Sequence, residues 1–131
     1  MEIHHIGYLV KKIDKAVKVF LDMGYEKQSE KTYDEYRDAD IIFMKKDGYV
    51  VELVSPVSKD SIVSGLIKKY GNSPYHICYK VTDMEEAIKD FREKGFVLFE
   101  EPHEAVAIDS NPVAFLMHPY MGMAEIVEIN A

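Results

Sequence analysis

The chain has 131 residues, 47% of them hydrophobic with six Phe and nine Tyr, enough for one compact domain or two half-size modules sharing a core. A formal charge of −7 and a pI of about 5.2 argue against nucleic acid as the main partner: phosphate binding draws on clustered Lys and Arg, and the Lys pairs at 11–12, 45–46 and 68–69 are short and scattered. The single cysteine, Cys78, allows no intramolecular disulfide, the start MEIHHIGYLV lacks a leader's basic and apolar regions, and no apolar run approaches the ~20 residues of a membrane helix, so a soluble cytoplasmic protein with no membrane partner is expected.

In chain order, HIGYLV (5–10) reads as a strand with Ile6, Tyr8 and Val10 on one face and His5 and Gly7 on the other. Ala16, Val17, Phe20 and Leu21 then recur at helical spacing, and Gly24 stands where a helix takes a left-handed terminator. Strand signals follow in YEKQSEKT, DADIIFMK and YVVELVSP, the last two joined by a KKDG turn. Residues 56–74 read as a linker rich in Ser, Gly and Pro, with DSIVSGLIKKYG as a short helix inside it.

A second strand, HICYKV (76–81), sets Ile77, Tyr79 and Val81 against His76 and Cys78. Asp83 and Glu86 resemble a capping box, Ala87, Ile88 and Phe91 form a helical apolar face, and Gly95 closes the helix. FVLFE, NPVAFLMH, a PYMG turn and MAEIVEI supply three more strands.

The two halves are copies. Residues 5–24 align with 76–95 without a gap, with identities at His5/His76, Ile6/Ile77, Tyr8/Tyr79, Val10/Val81, Ala16/Ala87, Lys18/Lys89, Phe20/Phe91 and Gly24/Gly95. The repeat predicts an α+β fold: two β-α-β-β-β modules forming a curved, partly open eight-stranded sheet around a cleft. Module 1 (1–55), the linker (56–74) and module 2 (75–131) together make a single domain.

Either histidine alone is most simply structural. The pair changes the reading, because helix packing explains the recurring Ile, Tyr and Val but does not demand His on the opposite face of both strands. Equivalent positions in a twofold repeat meet near its axis, and two imidazoles there suggest a metal. Glu52, in an otherwise apolar strand, is costly to bury without a cation or donors. Glu125 and Glu128 stand in MAEIVEI; their odd separation lets only one share the inward face. Matching YVVELV to GMAEIV favours Glu125, and Glu128 lies nearly at the chain end. His5, Glu52, His76 and Glu125 would suit Zn, Ni, Co, Mn or Fe without choosing among them.

With these residues in place, the chain resembles the vicinal oxygen chelate superfamily, which includes glyoxalase I, methylmalonyl-CoA epimerase, extradiol dioxygenases and antibiotic-resistance binding proteins. The likeness runs from IHHIGYLV through VELVSP and YHICYKVTD to VAFLMHP and AEIVEI. It implies paired β-α-β-β-β modules with a metal ligand from the first and last strand of each: His5, Glu52, His76 and Glu125. That order is similar to bacterial glyoxalase I; the epimerase usually has Gln where Glu52 stands. HHIG, YHICYKV and His118–Pro119 are more similar to the epimerase, and alignment on that His-Pro pair shifts the last ligand to Glu128.

The resemblance implies a metal-dependent lyase or isomerase that transfers a proton next to a metal-bound carbonyl of a small molecule or thioester. Glu52 and either Glu125 or Glu128 would be its acid and base, and the assembly a homodimer. A sequestering protein of the same fold and a metal-dependent dioxygenase are the alternatives; a fourth protein ligand argues against the dioxygenase.

The remaining candidates have plainer explanations. Cys78 reads as a small buried thiol, His4 as a surface residue, His103 as solvated among acids, and His118 as a turn or cleft residue. Arg37 suits either a substrate anion or a surface ion pair. Tyr33, Tyr36 and Tyr120 are possible pocket walls by neighbourhood alone.

Overall fold

The computed structural model describes residues 1–130. Among them, nine strands and three helices form a mixed, open sheet with helices packed on it, an α+β architecture. The order is β1 (Ile3–Leu9), α1 (Ile13–Asp22), β2 (Glu26–Lys27), β3 (Thr32–Asp34), β4 (Ala39–Lys46), β5 (Tyr49–Pro56), α2 (Ile62–Tyr70), β6 (Ser73–Val81), α3 (Met84–Glu93), β7 (Val97–Ala105), β8 (Asn111–His118) and β9 (Gly122–Glu128). The eight expected strands are present, and β3 is a ninth.

The chain divides into two compact units, His5–Tyr75 and the residues from His76 onward together with Met1–His4. In the first unit β1 pairs parallel to β5, β5 antiparallel to β4, and β4 takes both β2 and β3. The second unit repeats the plan: β6 pairs parallel to β9, β9 antiparallel to β8, and β8 antiparallel to β7. The first residues of the chain join this unit, where Lys80 N–H donates to the Glu2 carbonyl at 2.9 Å.

Each helix covers one face of its own strands. Val10, Ile13 and Val17 pack on Ile42, Met44, Val51 and Leu53, with Tyr8 and Phe20 at the margin. In the second unit Met84, Ala87 and Phe91 pack on Ala114, Leu116, Ala124 and Ile126. Ile6 and Tyr8 of β1 with the adjoining Val10, and Tyr79 and Val81 of β6, therefore lie under a helix, as strand alternation allows.

Both helices end alike. Gly24 and Gly95 each have φ +95°, a conformation that L side chains rarely adopt. Tyr25 N–H donates to the Phe20 carbonyl and Phe96 N–H to the Phe91 carbonyl, both at 3.0 Å, while the paired rings touch at 4.9 Å between centroids. This is the Schellman arrangement with its apolar contact. The starts differ: Asp83 accepts the Glu86 N–H at α3, whereas Lys12 offers α1 no side-chain cap.

The strand expected over YEKQSEKT is broken in two, at Glu26–Lys27 and from Thr32 onward. Beyond Gln28, the Ser29 hydroxyl accepts the Phe43 N–H at 2.9 Å, taking the place of a ladder carbonyl. The chain then resumes the same antiparallel course along β4 as β3, and the turn into β4 carries Asp38 at φ 53°. The linker contains α2, capped by Ser61, whose hydroxyl accepts the Val63 N–H.

Candidate active site

In the first unit, β1 presents His5 and β5 presents Glu52 on the face away from α1. Register sets Glu52 between Gly7 of β1 and Phe43 of β4. His5, two residues before Gly7, shares that face and brings its Nε2 to 3.3 Å from Glu52 Oε1, with side chains 0% and 7% exposed. The Phe43 ring meets the imidazole edge-on, at 5.3 Å and 77°.

The second unit builds the same arrangement. Glu125 lies between Cys78 of β6 and Phe115 of β8. His76 Nε2 stands 3.0 Å from Glu125 Oε1, with side chains 0% and 4% exposed. Phe115 meets the His76 ring at 5.1 Å and 87°. The sequence reading passed over both phenylalanines; their recurrence before a turn and the final strand of each half was the available signal.

Taking a carboxylate out of water costs several kcal/mol unless a cation or hydrogen-bond donors compensate it. In each unit an imidazole nitrogen is one neighbouring group. Imidazole and carboxylate are also the donors that borderline and hard divalent ions take, so the residues fit a metal of that class.

Glu128 serves elsewhere: its Oε2 accepts the Met84 N–H at 2.7 Å, at the start of α3. Pairing of Cys78 with Glu125 and of Val81 with Glu128 puts the two acids on opposite faces of β9, with Glu128 on the helix side.

Cys78 is fully buried, and His4 is half-buried. His103 is half-buried, with Nδ1 3.2 Å from the Glu101 carbonyl. His118 spans a turn: Nδ1 accepts the Tyr120 N–H at 3.1 Å, which leaves Nε2 to donate to the Lys94 carbonyl at 3.2 Å. Arg37 is buried rather than on the surface, and its carbonyl accepts the Ser61 hydroxyl. Tyr33 donates to Asp38 at 2.7 Å. Tyr36 is exposed, and Tyr120 is 96% exposed.

Residues 4–115 match the Glyoxalase/Bleomycin resistance protein/Dioxygenase superfamily, and the chain belongs to that family. A mitochondrial methylmalonyl-CoA epimerase from Bos taurus is 24% identical over 118 residues, covering 89% of this chain and 66% of the relative, just under two thirds of its length. Among solved structures, a hypothetical protein from Bacillus halodurans superposes with a TM-score of 0.86 at 24% identity, covering 99% of this chain and 95% of the other. A Streptomyces coelicolor methylmalonyl-CoA epimerase variant in complex with 2-nitronate-propionyl-CoA gives a TM-score of 0.85 at 23% identity, covering 100% and 96%. At these identities the structural likeness establishes the fold. No helix among the described residues is long and apolar enough to cross a membrane.

Proposed function

We propose that the chain is a metal-dependent isomerase of the epimerase type, moving a proton on the carbon next to a carbonyl of a small molecule or thioester. The reading rests on one observation: each unit carries the same buried pair, an imidazole Nε2 within 3.3 Å of a carboxylate oxygen. Two donors are too few for a catalytic ion, which takes at least three protein ligands. In this proposal His5, Glu52, His76 and Glu125 would supply four as one set. The epimerases among the relatives support the reaction class.

A divalent cation bound by this set would polarise a substrate carbonyl and stabilise the negative charge that develops on its oxygen. His5 and His76 serve as holding groups. Glu52 and Glu125 move the proton: one carboxylate takes the hydrogen from the substrate carbon, and the other carboxyl group returns one to the opposite face. One proton leaves and one arrives, and the configuration inverts.

Elemental analysis of the purified protein tests the set. One divalent ion per chain is expected, lost in both His5→Ala and His76→Ala; two ions, none, or survival in either variant overturns the shared site. Incubation with methylmalonyl-CoA in D2O tests the chemistry: deuterium enters the carbon between the carbonyls, and Glu52→Gln and Glu125→Gln slow this by about 100-fold or more. Binding without exchange would instead mark a sequestering protein. Light scattering checks the homodimer that the family resemblance implies.

A further inference from the structure

We infer that Phe43 and Phe115 are positioning residues, each holding one imidazole so that its Nε2 faces the neighbouring carboxylate. The inference rests on the cation reading above and extends it to residues that touch no ligand themselves.

The same row is built twice. A small residue, a glutamate and a phenylalanine stand side by side on three adjacent strands, as Gly7–Glu52–Phe43 and as Cys78–Glu125–Phe115. In both rows the histidine two residues before the small one reaches across to the phenyl ring. The interplanar angles are 77° and 87°, with centroids 5.3 and 5.1 Å apart.

A buried phenylalanine needs no ligand to explain it, and hydrophobic packing alone would fill either position. Packing alone does not require the same near-perpendicular contact with a histidine in both copies. An edge-to-face pair is directional, because each ring's quadrupole favours one relative orientation. Rotation of the imidazole about its Cβ–Cγ bond breaks the contact and swings Nε2 away from the glutamate. Phe43 is itself held firmly: its N–H donates to Ser29 Oγ at 2.9 Å and its carbonyl accepts the Gln28 N–H at 2.8 Å.

Phe43→Leu and Phe115→Leu keep apolar bulk and remove the ring. Phe91→Leu removes a comparably buried phenyl that packs on Phe96 instead of a histidine. Zn(II) affinity is measured by competition with a chromophoric chelator, alongside ring-nitrogen NMR of the metal-free proteins. Phe43→Leu and Phe115→Leu are expected to weaken Zn(II) binding about tenfold each, the scale seen when groups orienting a ligand are lost. Phe91→Leu should leave affinity unchanged. Wild-type affinity in both ring-deleted variants, or equal weakening in Phe91→Leu, overturns the inference.

Should the wild type bind no Zn(II), the cation reading fails and the ring spectra decide the positioning role separately. Sharp signals from His5 and His76 in the wild type, broadened for His5 in Phe43→Leu, uphold it; identical spectra overturn it. Phe43→Met and Phe115→Met replace the leucine variants if those do not fold.

Discussion

Glu128 Oε2 accepts the Met84 N–H at 2.7 Å, tying the end of β9 to the first turn of α3. Asp83 caps the same turn through the Glu86 N–H at 3.1 Å, so two carboxylates sit at the positive end of one helix dipole. Three residues upstream, Glu125 faces His76 on the other side of the strand. One short segment thus holds two acids with different partners.

Replacing them should separate stability from metal. Glu128→Ala is expected to cost about 1 kcal/mol of unfolding free energy, as for other lost helix caps, with full metal content. Glu125→Ala should lose the metal while the helix cap stays intact. Urea denaturation paired with elemental analysis reads both; metal loss in Glu128→Ala with retention in Glu125→Ala would reverse the assignment.

The two helix-ending glycines should respond unequally to alanine. Both share φ +95°, so each substitution carries a left-handed penalty of about 1–2 kcal/mol. A Cβ at Gly24 would meet Lys46 Nζ at 3.1 Å, the far end of a flexible chain. At Gly95 it would meet His118 Nε2 at 3.1 Å, an atom hydrogen-bonded to the Lys94 carbonyl. Thermal denaturation should therefore show a larger drop for Gly95→Ala, and equal drops would mean the imidazole yields freely.

A pH response is built into the β3–β4 turn. The Ser58 hydroxyl, donating at 2.5 Å, and then the Tyr33 hydroxyl hold the Asp38 carboxyl below its usual 3.8. A depressed folded value means that the carboxylate form supports the turn above pH 3.8, and this support is lost as pH falls through the lowered value. The same hydrogen bond raises Tyr33 above 10.0, so its support is full below that pH and lost as pH rises through the raised value. In an NMR titration Ser58→Ala should return Asp38 towards 3.8; an unmoved Asp38 would remove Ser58 as the leading cause.

Ser29→Ala should cost about 1 kcal/mol, because it strips the partly buried Phe43 N–H of its acceptor. Hydrogen exchange at Phe43 should quicken beyond that of its β4 neighbours. An unchanged rate would show that another acceptor takes over.

Much of the fold was legible because its signals are local. Alternation in HIGYLV and HICYKV, helical spacing through Phe20 and Phe91, and the terminal glycines each follow from a few adjacent residues. The ninth strand was not legible, because β3 exists only where Ser29 interrupts the antiparallel run along β4 and the pairing resumes at Thr32. The burial of Arg37 was illegible for a similar reason: burial belongs to the surroundings of a side chain, not to its charge.

By itself the sequence determined that two like halves exist and that each carries a histidine on the strand face turned from its helix, since strand period and gap-free repetition need no third dimension. Only the tertiary structure decided that Glu125 meets His76 while Glu128 caps a helix. It also decided that a phenyl ring two strands away abuts each imidazole. Those outcomes depend on which residue of one strand lies beside which residue of another, and that register is set by long-range pairing.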